Sequence, residues 1–183
     1  MCLRSDFSLI SLRNNIFFKA LAEKLNLGTL RVMNVTAMSY VRVYIHIVFA
    51  TKNREPFLNS LEIRKKVFQH IKQNAAEKGI WIDAVCGWRE HAHCLISLGK
   101  DQCISKVVQL IKGESSFWIN QNKLTNKNFA WQDDYWTVGV SESHIRTKRK
   151  YIHNQEPHHS KKSFSLEVKE FMEKYGWSHN MDE

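Results

Sequence analysis

From Tyr40 to Ala50 the chain alternates. Val41, Val43, Ile45, Ile47 and Phe49 fall on one side, and Arg42, Tyr44 and His46 on the other. A period of two predicts a strand with one buried face. Thr51 to Pro56 reads as a polar turn. Leu61, Val67, Phe68, Ile71 and Ala75 then recur at helical spacing and predict a helix from about Ser60 to Lys78, stopped by Gly79. Ile80 to Trp88 reads as a second strand, with Gly87 marking a bulge or bend near its end. His91 to Leu98 alternates again. Ala92, Cys94, Ile96 and Leu98 share one face, and His91, His93, Leu95 and Ser97 the other. After a turn at Gly99–Gln102, Val107, Val108, Ile111 and Trp118 mark a helix from Ile104 to about Asn122, weakened locally by Gly113. Leu124 to Phe129 is a loop. Tyr135 to Ser141 reads as a fourth strand, and Ser143 to Gln155 as a helix that Pro157 ends. A basic tail follows, helical from about Leu166 to Tyr175.

The order strand, helix, strand, strand, helix, strand predicts an α+β fold of the ferredoxin-like (split βαβ) kind. The expectation is an antiparallel sheet with two helices on one face and the Ser143–Gln155 helix at the other. In that topology the first and third strands are central neighbours. Their apolar faces meet the two helices, so their polar faces coincide. Arg42, Tyr44 and His46 are therefore expected to share an open sheet face with His91, His93 and Ser97.

At 183 residues the chain suits one globular domain with extensions. Its 27 Lys+Arg against 18 Asp+Glu give a net +9, which favours a polyanionic partner, although a solvated basic surface would look the same. Cys2, Cys86, Cys94 and Cys103 form no Cys-x-x-Cys pair and are read as reduced thiols of a cytosolic protein. No apolar run approaches the ~20 residues of a membrane span. Residues 1–37 break their apolar stretches with Arg13, Asn14 and Asn15, unlike a secretory signal, and are read as an extension outside the core. Residues 38–158 form the expected domain, and 159–183 a basic, partly helical tail. His158 and His159 are read there as solvated.

Two constellations carry chemistry. His91 and His93 lie two apart on a strand, so their imidazoles point the same way, ~6.6–6.8 Å apart at the backbone, and can converge on one metal ion. Such a pair arises often by chance, so alone it is weak. Tyr151 and Gln155, at i and i+4, share a helix face, ~5–6 Å apart, with Lys148 and His144 on the same side. Ile145 and Ile152 mark the buried stripe beside it. Read alone, Tyr151 is more often an amphipathic residue at a core edge.

Taken together, Val43-Tyr44-Ile45-His46-Ile47-Val48-Phe49-Ala50-Thr51-Lys52-Asn53-Arg54, Glu90-His91-Ala92-His93, Gln109-Leu110-Ile111-Lys112-Gly113, Trp131-Gln132 and Tyr151-Ile152-His153-Asn154-Gln155 appear in a family's order from Tyr40 to about Trp177. This stretch resembles the single-tyrosine HUH transposases of small bacterial insertion sequences, including the repeat-associated tyrosine transposases. Ala92 stands where that family prefers a larger apolar residue. The resemblance implies that Tyr151 is the nucleophile and that His91, His93 and Gln155 hold a divalent metal, Mg or Mn. It further implies that the enzyme cleaves and rejoins single-stranded or hairpin DNA through a 5′-phosphotyrosine. Lys148, Arg149, His46 and Arg42 are the expected DNA contacts. The resemblance also implies a homodimer with active sites that two subunits can share, in a cytoplasmic, nucleoid-associated protein. The alternative is a domesticated relative that binds hairpin DNA or RNA without cutting it.

Overall fold

The computed structural model describes residues 40–159 and 162–177. The expected extension at 1–37 lies outside the described residues. Four strands form one antiparallel sheet: β1 (Val43–Ala50), β2 (Trp81–Gly87), β3 (His91–Leu98) and β4 (Trp136–Val140). Their spatial order is β2-β3-β1-β4, the ferredoxin-like arrangement expected from the order of elements. β1 and β3 are central, paired so that Ile47 faces Cys94 and Val48 faces His93.

Helices α1 (Leu61–Glu77) and α2 (Ile104–Gln121) cover one face. Ser60 caps α1, its side chain accepting from the Ile63 amide at 3.0 Å. Gly79 leaves the helix at φ +69°, a region that favours glycine. Ile45, Ile47, Phe49, Ala92, Cys94 and Ile96 meet Val67, Phe68, Ile71, Val108 and Ile111 in the main core. Trp131 closes its end, with Nε1 donating to Ser115 Oγ at 2.8 Å.

Two local features depart from the sequence reading. The bulge in β2 lies at Asp83, between Ile82 and Ala84, and not at Gly87. It reverses the alternation, so Ile82 faces α1 while Ala84 and Cys86 face the other side with Leu95 and His93. Gly87 serves a close approach instead: a Cβ there would stand 2.1 Å from the His91 carbonyl oxygen.

The second sheet face carries the expected helix and is covered further by the last helix, so the histidines on it are not open to solvent. Helix α3 (Ile145–His153) lies on it through Ile145 and Ile152, against Ala84 and Leu95. The helix stops at Asn154, whose amide donates to the Lys150 and Tyr151 carbonyls. Pro157 does not end it. It falls within a second short helix, α4 (Gln155–His159), where the first turn tolerates a residue without an N–H. Helix α5 (Phe164–Tyr175) then returns over the same face and packs Phe164 against Val48 and Ala50. Among the described residues no helix is long and apolar enough to cross a membrane.

Candidate active site

The floor of the site comes from the two central strands. Alternation places His46 of β1 and His91 and His93 of β3 on the same face, and the covering helices leave them 1%, 0% and 1% exposed. His46 Nε2 lies 3.0 Å from His93 Nδ1, with the two rings stacked. The His91 ring lies flat on Phe164 of α5 at 4.0 Å between centroids, and its Nδ1 is 3.4 Å from Glu90 Oε1.

Helix α3 brings Tyr151 to this floor. Its ring stands edge-on to His93 at 5.6 Å, and Lys148 Nζ sits over the ring, 4.9 Å from its centroid. The Tyr151 hydroxyl donates to Glu167 Oε1 of α5. Gln155 is buried. Its Nε2 donates to the Tyr151 carbonyl at 3.2 Å, and its Oε1 lies 3.0 Å from His159 Nε2.

The site therefore has a roof. His159 was expected in a solvated tail, but the break at Asn154 turns α4 back and leaves its side chain 1% exposed. Glu167 lies 3.6 Å from His93 and 3.2 Å from His159. Ligand atoms of His91, His93, His159 and Glu167 all lie within 4.8 Å of one another. His91 Nε2, His93 Nε2 and Glu167 Oε2 are buried without a hydrogen-bond partner. Buried polar atoms are rarely left so, and lone pairs converging on one point suit a divalent cation. The residues present thus fit a divalent metal, with His159 and Glu167 beside the expected histidine pair and the Gln155 side chain engaged by Tyr151 and His159.

Electrostatics agree with neutral histidines. Burial holds His46 down at about 3, with Lys148 adding to the effect. Burial also keeps His93 well below its usual value and lowers His91. It pushes the Glu167 carboxyl up to about 7, against the pull of Lys148. Between α3 and α5 a cleft of about 620 Å³ runs to Tyr151 and Glu167, with Lys148, Lys162 and Lys174 along it.

The expected site residues separate. His91, His93, Tyr151, Gln155 and Lys148 come together. His46, expected to reach DNA, is buried beneath His93 and supports it instead. Arg149 turns away from the cleft to pair with Asp83 at 2.6 Å. Arg42 pairs with Glu142 at 3.0 Å on an exposed surface. His159 and Glu167 were missed in the sequence, though a signal exists for each. Tyr151, Gln155 and His159 recur at four-residue spacing. Glu167 interrupts an otherwise apolar stripe of Phe164, Val168 and Phe171.

Two solved structures are similar in fold. One is a candidate transposase from Deinococcus radiodurans R1, with TM-score 0.51, 23% identity, and coverage of 65% of this chain and 94% of that one. The other is a REP-associated tyrosine transposase bound to a REP hairpin, with TM-score 0.50, 21% identity, and coverage of 67% and 72%. No curated protein matches the chain. The family described as "Transposase IS200 like" matches residues 39–155, a span that includes all four strands, the histidine pair, Tyr151 and Gln155. With that match over more than half of its length, the chain belongs to the IS200-like transposase family.

Proposed function

We propose that this transposase cuts and rejoins single-stranded DNA, with Tyr151 as the nucleophile. The observation that carries the reading is convergence: the Tyr151 ring stands 5.6 Å from His93, at the end of a lysine-flanked cleft. A tyrosine hydroxyl has a pKa near 10 and attacks poorly unless the phosphate is already polarised. His91, His93 and Gln155 would hold a divalent ion, which when bound would supply that polarisation and orient the phosphate.

The chain's own groups do the rest. The stacked His46 fixes the orientation of His93, so its Nε2 faces the site. Gln155 ties its side chain to the Tyr151 carbonyl and so keeps the two residues in register. Lys148, over the tyrosine ring, meets the phosphate backbone. Tyr151 Oη then forms a bond to phosphorus while the bond from phosphorus to the 3′-oxygen breaks. The hydroxyl proton leaves Tyr151, and the departing 3′-oxygen takes one up. The products are a 5′-phosphotyrosine and a free 3′-hydroxyl. Attack by a 3′-hydroxyl reverses the step without ATP, because one phosphodiester replaces another.

Tyr151 faces the histidine pair of its own chain, which supports a site assembled in cis. We further propose, on the family resemblance, that two such chains form a homodimer, which sedimentation with DNA bound would read. A hairpin-bearing oligonucleotide is the natural substrate to test, since the REP-associated neighbour binds one. Incubation of the 3′-labelled oligonucleotide with Mg or Mn should give a labelled covalent adduct on a denaturing gel, and the 5′-labelled one a shorter labelled fragment. A mobility shift with no adduct under any metal would replace this reading with that of a binding-only relative.

A further inference from the structure

The histidine pair has more partners than the proposed chemistry uses. His159 Nδ1 lies 2.9 Å from the Lys162 carbonyl, which can only accept. A neutral imidazole then carries its proton on Nδ1, and Nε2 is a lone pair. Yet Nε2 faces Gln155 Oε1 at 3.0 Å and Glu167 Oε2 at 3.2 Å, both acceptors. Moving the proton to Nε2 only transfers the conflict to Nδ1. Nearby, the buried Nε2 atoms of His91 and His93 also lack donors. Acceptors converging in a buried space repel one another unless a metal ion or a further proton lies among them.

We propose that His91, His93, His159 and Glu167 form a closed four-ligand site for a tetrahedral ion of the zinc type, through which the metal pins helix α5 across Tyr151. The set rests on the same histidine pair as the proposed function, but it adds two ligands from beyond residue 155, where the family match ends. The spacing suits it. Ligands about 2.0–2.2 Å from a tetrahedral centre stand roughly 3.3–3.6 Å apart. His159 Nε2 stands 3.2 Å from Glu167 Oε2 and His93 Nε2 3.6 Å from Glu167 Oε1, and ligand atoms of all four residues lie within 4.8 Å of one another, so the set has to contract slightly onto the ion. Two of the outer nitrogens are held as metal-ligating histidines require, His93 by His46 and His159 by the Lys162 carbonyl, while His91 Nδ1 lies 3.4 Å from Glu90 Oε1 without a hydrogen bond.

Closure has a functional meaning. Catalytic metal sites keep a position open, and structural ones fill all four. With Glu167 bound through Oε2, its Oε1 still accepts the Tyr151 hydroxyl. Nucleophile and open position are then blocked by one side chain. This is a resting form, and strand cleavage requires Glu167 and α5 to move aside.

Cobalt(II) titration of the full chain tests this without reference to DNA. One equivalent should give the intense visible absorption of a tetrahedral ion. Glu167→Ala and His159→Ala should each lose those bands and weaken binding by more than the roughly tenfold to hundredfold that an outer partner costs. Metal should also protect the α5 lysines Lys169 and Lys174 from trypsin in the parent chain and not in Glu167→Ala. Glu167→Gln, nearly isosteric, serves as a second variant if the alanine form unfolds. Weak bands of higher coordination in the parent, unchanged by either substitution, would overturn the proposal, as would no binding at all. An imidazolium–carboxylate pair of His159 and Glu167, seen by NMR at neutral pH with metal present, would do the same. Tetrahedral bands in the parent, with no DNA adduct either from the parent or from Glu167→Ala, in which the clamp is removed, would leave the clamp standing and sink the transferase reading. Adduct without such bands would do the reverse.

Discussion

The two faces of the sheet are built from the same strands and do different work. Beneath α1 and α2, side chains from β1, β2 and β3 meet in a continuous apolar core. Beneath α3 and α5 the apolar contacts split into two small clusters, around Leu95 and Ile152 and around Val48 and Phe164. Between these clusters lie His46, His91, His93 and Glu167, all buried. Burying apolar surface stabilises the fold at about 25 cal/mol per Å². Burying polar atoms with no partner costs stability. The first face therefore holds the domain together, and the second spends some of that stability on a site.

Changes on the two faces should part company. The largest expected effect is on chemistry. Tyr151→Phe removes the hydroxyl and should abolish the covalent DNA adduct, while thermal unfolding shifts only slightly. Undiminished adduct in that variant would end the assignment. On the other face, Phe49→Ala should cost about 3–5 kcal/mol of stability, because the ring is 1% exposed and packs edge-on against Trp131 at 4.7 Å. Urea denaturation reads this. A loss under 1 kcal/mol would mean that the core repacks around the gap.

The site face should also fail in acid, and the sign can be worked out. His46 titrates near 6.5 when unfolded and at about 3 when folded. Its stabilising effect is present above the unfolded value and is lost as pH falls below it. Between pH 7.5 and pH 5, His46 alone should cost the metal-free protein about 2 kcal/mol. His93 shifts the same way, so its loss adds to this. Unfolding midpoints measured in chelator across that range give the slope. His46→Phe, which keeps a ring and removes the proton site, should flatten it, and an unchanged slope would exonerate His46.

How much of this was legible beforehand follows from the same contrast. Strand alternation is a local signal, and β1 and β3 read correctly from it. Their register then placed His46, His91 and His93 on one face before any contact was known. The bulge at Asp83 was not legible, because one extra residue leaves no mark in a short strand of mixed polarity. The roof was missed for a different reason. The stripe of Phe164, Val168 and Phe171 shows that α5 has an apolar side, but not which surface it covers. A glutamate in that stripe looks like a defect until the histidines beneath it are seen. Gly87 reads as a bulge or bend in the sequence, and it serves a close backbone approach instead.

The smallest effect separates two neighbours on α3 that were both expected to touch DNA. Lys148 lines the cleft and sits over the Tyr151 ring, half-buried, with burial lowering its ammonium from the usual value. Arg149, the next residue, points to the sheet edge and is held by Asp83. A cation that neutralises one phosphate of a single strand adds about 0.7 to the slope of log affinity against log salt. Lys148→Ala should therefore make that slope shallower by about 0.7 and weaken binding at low salt. Arg149→Ala should leave the slope alone and lower stability slightly, because an ion pair this exposed is worth at most about 1 kcal/mol. Fluorescence anisotropy with a labelled single strand, repeated at several salt concentrations, measures both. Equal slopes for the two variants would mean that the strand does not follow the cleft, and that the path of DNA over this face has to be sought elsewhere.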